Sequence, residues 1–256
     1  MGNADYIQKI ILGGIIFFQI GLCFADESVV VVAAEGSVTV AEAIGKTTTP
    51  VKSKSILPAS NILTTGPTAK AVVRVGDNGF IVVGKNSQVE INKAKDHVGF
   101  FKQLTGVVYY AMNSIKGKQR PIEVRTATTT IGIRGTRFLV SSTDERNDIG
   151  MRKGQVNVAS LEGDFEIHKK TELDEFSSFM KEAEDAIAKE QRDFEEYAAK
   201  NQKEFIEFKR EFFLDANRMA KFDGKRVVDI PLSGETKIEM ENFETYADEW
   251  LKGVQD

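Results

Sequence analysis

The sequence predicts a mainly β domain of short strands, followed by a long α-helical extension at its C-terminal end. Apolar and polar residues alternate in short runs up to residue 170, and glycine, asparagine and aspartate separate these runs. After Thr171 the spacing of apolar residues changes from two to three or four, the period of an amphipathic helix. The hydrophobic content of 41% is enough for a packed core, which argues against general disorder.

The predicted strands of the β region, residues 26–170, are all short. A glycine followed by two spaced apolar residues recurs at Gly36, Gly106, Gly154 and Gly163. Short strands with frequent turns favour a β-sandwich or β-roll, and the recurring glycine unit also permits a solenoid-like stack. The strand-like segments are Val29–Ala33, Gly36–Val40, Ala69–Val75, Phe80–Val83, Val89–Ile91, Gly106–Tyr110, Ile122–Val124, Ile131–Val140, Gly154–Val158 and Gly163–Ile167.

The extension, residues 171–256, has an apolar stripe that predicts a helix as far as Phe222, with a bend or hairpin allowed near Asn201. A short edge strand or extended segment is expected at residues 226–231, and a final helix at residues 233–252. The stripe of the long helix consists of Leu173, Phe176, Met180, Ala183, Ile187, Phe194, Tyr197, Phe205, Phe208, Phe212 and Met219. The predicted packing residues of the final helix are Ile238, Phe243, Ala247, Trp250 and Leu251.

Three roles are open for the Phe-rich helix, whose predicted interface residues are Phe205, Phe208 and Phe212. It can pack on the β region or on itself, or it can form a coiled-coil homo-oligomer, which its seven-residue steps favour. Binding to a membrane surface is the least favoured role, because the polar face of the helix is more acidic than basic.

The N-terminus is typical of an export signal. Lys9 precedes the apolar run Ile10–Phe24, and small residues around Ala25 provide a cleavage site. We therefore expect residues 1–25 to be a signal peptide and the mature protein to be periplasmic or otherwise exported. The run of about 15 residues is short for a bilayer span, although an uncleaved N-terminal anchor is the alternative. Cys23 is the one cysteine of the chain, so a cleaved protein has no disulfide.

Charge divides at the same boundary as the apolar period. Residues 26–170 contain 20 Lys and Arg against 14 Asp and Glu, whereas residues 171–256 contain 13 against 23. These opposite signs suit docking of the extension on the β region, or separate partners for each. Nucleic-acid binding is disfavoured by the acidic extension and by export.

No constellation of residues indicates catalysis, a cofactor or a metal. His97 and His168 are the two histidines, and neither has neighbours at ligand spacing or lies in a nucleophile–base motif. We therefore expect a protein that is not an enzyme and needs no cofactor.

The segment around Gly135 has the most unusual pattern in the chain. Ile131 and Ile133 lie on one face of a strand, and the alternation changes phase after Gly135. Such a change inside a strand predicts a β-bulge. Arg134 beside it is expected to form a buried or half-buried ion pair, with Glu123 or Asp77 as candidates. The alternative is that Arg134 or Arg137 contacts an anionic group of a ligand, and Arg137, which is expected to point outward, is the better candidate for that contact.

The run Gly132–Val140 resembles the signature Gly-x-Arg-Gly-Thr-x-Phe-x-Val of the FecR domain family and matches it at every fixed position. Upstream, Ile62–Gly66 followed by Ala69–Val75 is similar to the family's threonine–glycine and strand pattern, although Asp77–Gly79 replaces the usual Asp-Gly pair. The resemblance covers roughly Val29–Ile167. It implies a periplasmic β-rich module of iron-uptake signalling regulators, with Gly132, Arg134, Gly135, Thr136 and Phe138 in structural roles.

The family's regulators carry a cytoplasmic sigma-factor-binding domain and a membrane helix before this module. Only eight residues precede Lys9, so we expect that part to be absent and do not carry over its anti-sigma activity. The expected function is a non-catalytic protein-binding or scaffold module of the bacterial cell envelope, accessory to envelope signalling. The alternative is a binder of envelope polysaccharide or peptidoglycan through the basic β region.

The expected partners follow from the predicted export and from the predicted helical extension. We expect an envelope protein as partner, and homo-oligomers through the C-terminal helices are a further prediction. No stable membrane span is expected once the signal is cleaved.

Overall fold

The computed structural model describes residues 29–57, 60–94, 97–113, 122–143, 146–169 and 205–252. The predicted signal peptide and the first part of the predicted long helix, up to residue 204, lie outside this range. None of the helices within the described ranges is long and apolar enough to cross a membrane.

Strands dominate the described residues, and one helix follows them. The strands are β1 (Val29–Glu35), β2 (Val38–Ala41), β3 (Thr49–Pro50), β4 (Ser55–Ile56), β5 (Asn61–Thr65), β6 (Lys70–Val75), β7 (Gly79–Val83), β8 (Gln88–Ala94), β9 (His97–Met112), β10 (Ile122–Arg125), β11 (Thr129–Ile133), β12 (Arg137–Ser142), β13 (Asn147–Lys153), β14 (Gln155–Ser160), β15 (Phe165–Lys169), β16 (Phe205–Lys209), β17 (Glu211–Asp215), β18 (Arg218–Asp223) and β19 (Arg226–Pro231). The helix is α1 (Gly234–Leu251). The mainly β prediction is confirmed.

The strands form two sheets that share the long strand β9. Sheet A has the order β4–β1–β6–β7–β9–β12–β13–β18–β19–β15–β16. Sheet B has the order β3–β2–β5–β8–β9–β10–β11–β14–β17. Neighbouring strands are antiparallel except in the pairs β9–β10 and β15–β19.

The chain passes repeatedly from one sheet to the other, and glycines mark the crossing points. In β9, residues up to Thr105 pair with β8 in sheet B, and residues from Gly106 pair with β12 in sheet A. Gly106 has φ +93°, and a Cβ there would overlap the buried Ser87. Only glycine meets both conditions. The recurring glycine unit of the sequence therefore reflects these crossings, since Gly36, Gly154 and Gly163 lie between strands of different sheets.

The main core lies between the two sheets. Phe138 and Tyr110 of sheet A stack with ring centroids 5.0 Å apart, and Phe101 of sheet B lies 5.8 Å from Tyr110. The Tyr110 hydroxyl donates to Gln103 Oε1, and Gln103 Nε2 donates to the carbonyls of Gly106 and Val140. The buried Tyr110 hydroxyl and Gln103 amide thus have hydrogen-bond partners at the point where β9 changes sheet.

A second core lies on the outer face of sheet A, where α1 covers it. Met240 and Ala247 of α1 are fully buried against Tyr109 and Leu139. Ser233 caps the helix by accepting a hydrogen bond from Thr236 N, which agrees with the predicted start. Among the predicted packing residues, Ile238 is 60% and Trp250 44% exposed, so the predicted apolar face was partly wrong. It missed Met240.

The predicted long helix does not extend through residues 205–222, which form β16, β17 and β18 instead. This segment carries two patterns: some of its apolar residues are three, four or seven positions apart, and others occupy every second position. In β17, Phe212 and Leu214 point into the core, while Glu211, Phe213 and Asp215, which alternate with them, are exposed. Long-range pairing decided between the two periods, because β16 and β17 each extend a sheet built by the preceding region.

The predicted edge strand at residues 226–231 is an interior strand. β19 pairs with β18 on one side and, in parallel, with β15 on the other. Residues from both sides of the predicted boundary at residue 170 therefore share the same sheets.

Candidate functional site

The segment around Gly135 is a crossing between sheets. β11 belongs to sheet B and β12 to sheet A, and Gly135 between them has φ +67°. The predicted bulge inside one strand was therefore wrong. The alternation changes phase because the residues before and after Gly135 face the core from opposite layers. A register shift against β13 does occur just afterwards, between Arg137 and Phe138.

The other motif residues support this crossing. Phe138 is fully buried on Tyr110, and the carbonyl of the buried Thr136 accepts a hydrogen bond from Met112 N. Gly132 lies within β11, paired with Glu123 on one side and Asn157 on the other.

Arg134 does not form the expected buried ion pair. Arg134 is exposed in the turn, and its side chain forms no ion pair with any residue that the structure describes. Glu123 contacts Arg125 instead, at 2.9 Å. The reason is that the crossing lies at the rim of the two layers, where a guanidinium stays hydrated.

Arg137 faces α1. Its Nη1 lies 3.4 Å from Glu244 Oε1, and Arg152 Nη1 lies 3.2 Å from Glu244 Oε2. The Tyr109 hydroxyl donates a hydrogen bond to the same carboxylate. We call Tyr109, Arg137, Arg152 and Glu244 the Glu244 cluster; it joins the motif strand to the helix.

Burial and the hydrogen bond to Glu244 raise the pKa of Tyr109 far above its ordinary value. Tyr109 is therefore a neutral donor at any physiological pH. Beside the cluster is an open polar pocket of about 470 Å³, lined by Arg137, Arg152, Lys153, Glu244 and Asp248. Three basic and two acidic side chains line it, so its charges largely compensate one another.

Further acid–base contacts hold α1 along its length. Arg146 lies 3.3 Å from Glu239 and 3.5 Å from Asp148, and Arg152 lies 3.7 Å from Glu241. The ammonium of Lys70 lies 4.3 Å from the centre of the Tyr246 ring. The basic residues of the β region thus meet the acidic residues of the C-terminal helix.

A separate surface lies where both sheets end. β16 is the last strand of sheet A and β17 the last of sheet B, with Arg210 between them. Ile206, Phe208 and Phe213 on these strands are 45%, 69% and 64% exposed. We call these three residues and their two strands the edge surface.

The predicted helix-interface residues do not share one face. Phe208 is exposed on the edge surface, whereas Phe212 is buried against Phe165, with ring centroids 5.6 Å apart. Phe205 begins β16 opposite Lys169. Ile206 and Phe213 were not among the predicted interface residues, although the period-two pattern of residues 205–215 places both of them on strands.

No group of three metal-ligating side chains occurs within the described ranges. His168 is buried, with its Nε2 2.8 Å from Glu166 Oε1.

Residues 61–157 match the family model described as FecR protein. This segment is a FecR domain. The match begins at β5, ends within β14 and includes the motif, so the resemblance seen in the sequence is confirmed for this part of the chain. FecR-like domains are usually associated with the cell envelope.

Two crystal structures of a "putative anti-sigma factor" from Parabacteroides distasonis ATCC 8503 are similar to this chain, with TM-scores of 0.43 and 0.44 at 11% sequence identity. Each similarity covers 69% of this chain and 62% of the other, so the chain spans less than two thirds of that protein. The search of curated proteins finds no match.

Proposed function

We propose that this protein is an exported, non-catalytic FecR-domain protein that binds another protein in the bacterial cell envelope, as a scaffold module accessory to envelope signalling. The observation that carries the proposal is the edge surface, with its exposed apolar side chains on two strands at the ends of their sheets. The FecR domain supports the envelope context.

The backbone of the edge surface is suited to strand addition. Within the described residues β16 pairs only with β15, and β17 only with β14. The opposite ends of the sheets are different, because β4 and β3 are two residues long, whereas β16 and β17 have five residues each. Proteins usually shorten or block an edge that is not used, so the long edge is the one that a partner strand would join.

The side chains supply an anchor. Ile206 and Phe208 are two residues apart in β16 and therefore lie on the same face of the strand. Exposed aromatic residues of this kind are enriched at protein interfaces. Phe213 adds a second exposed aromatic ring, on sheet B, so one partner can contact the last strands of both sheets.

The polysaccharide-binding alternative has less support. It requires exposed aromatics beside Lys or Arg in one groove, but Phe213 lies between Glu211 and Asp215 in β17. The polar pocket beside the Glu244 cluster is lined by two carboxylates and no aromatic residue.

A photo-crosslinking amino acid at position 208 or 213 tests the proposal in growing cells. We expect a discrete protein adduct from both positions, and loss of the adduct at position 213 when Ile206→Ser and Phe208→Ser are added. Ile238, 60% exposed on α1, is the matched control position and should give no such adduct. Equal adducts from position 238 would contradict the proposal, as would adducts that contain only glycan or only this chain.

A further inference from the structure

We propose that α1 is an exchangeable cover, and that the outer face of sheet A accepts α1 from a second copy of this chain. The proposal concerns a surface distinct from the edge surface and goes beyond the proposed function. It rests on the fit of this helix to the sheet, on the short link that joins the helix to β19, and on the two carboxylates that share one arginine in the docked contact.

The face of sheet A is shaped for this helix. A Cβ added at Gly150 would lie 3.0 Å from atoms of Leu232, Met240 and Thr236, and one added at Gly84 would lie 3.1 Å from the Phe243 ring. The missing side chains thus create two slots that the helix fills. Because the slots belong to the sheet, they recognise the same helix whichever copy supplies it.

Charge adds selectivity to this shape. Arg137, Arg146 and Arg152 of the face contact Glu244, Glu239 and Glu241 of the helix. The helix Gly234–Leu251 contains six acidic residues and one lysine. A helix of the opposite charge would be rejected by the same face.

The helix is attached through a short link. β19 ends at Pro231 and α1 begins at Gly234, with Leu232 and Ser233 between them. No strand pairing involves α1, so the helix can leave its face without breaking a sheet. Exchange of such an element between identical chains is a low-cost route to a dimer.

The docked contact places a buried carboxyl group near a second acidic side chain. Ser141 and Asp148 are paired across β12 and β13, and both are buried. Ser141 Oγ and Asp148 Oδ1 have no hydrogen-bond partner among the described residues. Asp148 faces Arg146, Lys221 and Glu239, so docking brings Glu239 near a second carboxylate that shares the same arginine. This arrangement favours release of the helix.

The ion pairs at the rim are too exposed to hold the helix permanently. The Arg137 and Arg152 side chains are 41% and 33% exposed, and Glu241 is 60% exposed. Salt screens such pairs. In dilute solution the chain's own helix outcompetes the helix of another copy, because the link keeps it at a high effective concentration near its face. Copies held side by side present their helices at a comparable concentration, so the own helix no longer has this advantage.

Reciprocal charge variants of the full chain test the exchange. The helix variant carries Glu244→Arg, and the face variant carries Arg137→Glu and Arg152→Glu. Each repels its own helix, whereas in a mixture both crossed combinations are attractive. We expect a one-to-one dimer in the mixture by native mass spectrometry, and monomers when all three substitutions are combined in one chain.

Two independent monomers in the mixture, beside a combined variant with restored thermal stability, would overturn the proposal. Adding Gly150→Val to the helix variant fills the slot on its face and should weaken the mixed dimer. Near-ultraviolet circular dichroism checks that each variant keeps its core.

A wild-type measurement decides the question if a charge variant does not fold. Chains labelled with ¹⁴N and ¹⁵N are mixed at about 1 mM, comparable to the effective concentration of a tethered element. They are then treated with a carbodiimide that links lysines to carboxylates. Mixed-isotope peptides that join Lys70 or Lys153 to α1 show exchange. Peptides of one isotope only show that each helix stays on its own chain.

Discussion

At the scale of single residues, two arginines of one motif have unlike environments. Arg134 is exposed in the crossing between sheets, whereas Arg137, three residues later, contacts Glu244 of α1 at 3.4 Å. The difference arises because β12 begins at Arg137, on the face of sheet A that the helix covers. The motif therefore contributes to helix docking through one arginine and to the turn through the other.

Replacing each arginine separately tests this assignment. Arg137→Ala should lower the free energy of unfolding by about 1 kcal/mol, because the Glu244 carboxylate loses a charged partner in a half-buried contact. Arg134→Ala should change it by less than about 0.5 kcal/mol, as is usual for an exposed side chain. Urea unfolding measures both values. A larger loss for Arg134→Ala than for Arg137→Ala would reverse the assignment.

Asp148 predicts a dependence of stability on pH. Burial raises the pKa of its carboxyl above its ordinary value, and Glu239 adds to the rise while Arg146 and Lys221 oppose it. The folded state thus binds this proton more tightly than the unfolded state. The stability that Asp148 contributes is present at low pH and is lost as the pH rises through its folded pKa.

Asp148→Asn should therefore raise the free energy of unfolding at pH 7, by an amount on the order of 1 kcal/mol. The gain should be smaller at pH 4 than at pH 7, because the parent carboxyl is protonated to a greater extent in the folded state at the lower pH. Thermal unfolding at both pH values measures it. Asp229→Asn is the control, because it removes a 2.9 Å contact with Arg218 and should lower stability at pH 7. A loss of stability for Asp148→Asn at pH 7 would contradict this account.

At the scale of elements, the residues after position 204 show how one sequence can carry two periods. Phe205, Phe208, Phe212 and Met219 have helical spacing, yet they lie in three strands. The alternation in β17 competes with that spacing, and pairing with β14 selects the strand. Local spacing cannot reveal this choice, because β14 lies more than 50 residues earlier in the chain.

The strand assignment predicts unequal losses of stability when Phe212 and Phe208 are each replaced by alanine. Phe212→Ala should lower the free energy of unfolding by about 3 kcal/mol, since it opens a cavity beside Phe165. Phe208→Ala should lower it by less than about 0.5 kcal/mol, because its ring is exposed. Denaturant unfolding of both variants gives the comparison. Similar losses for the two would favour a shared helical interface instead.

At the scale of the whole molecule, the strands after residue 204 complete the two sheets of the β region, residues 26–170. β18 pairs with β13, β17 with β14, and β19 with β15. The main core contains residues from both regions, with Phe212 and Phe222 in contact with Phe165. The division at residue 170 remains a prediction, but these shared strands argue that the two parts fold together.

A single cooperative unfolding transition is expected for this reason. Far-ultraviolet circular dichroism reports the strands, and near-ultraviolet circular dichroism reports the packed aromatic residues. The two signals should change together in urea. Two separated transitions would show that residues 205–252 form an independent unit.

The sequence by itself determined the β character, the FecR motif, the extended segment near residue 226 and the final helix. Each depends on residues a few positions apart, such as alternating or helically spaced apolar residues and a glycine in a turn. Only the tertiary structure decided that Gly135 marks a change of sheet, that Arg137 meets Glu244, and that Phe208 and Phe213 lie on sheet edges. These features depend on pairings between distant strands and on which face the helix covers, and free energy from long-range burial overrides local spacing there.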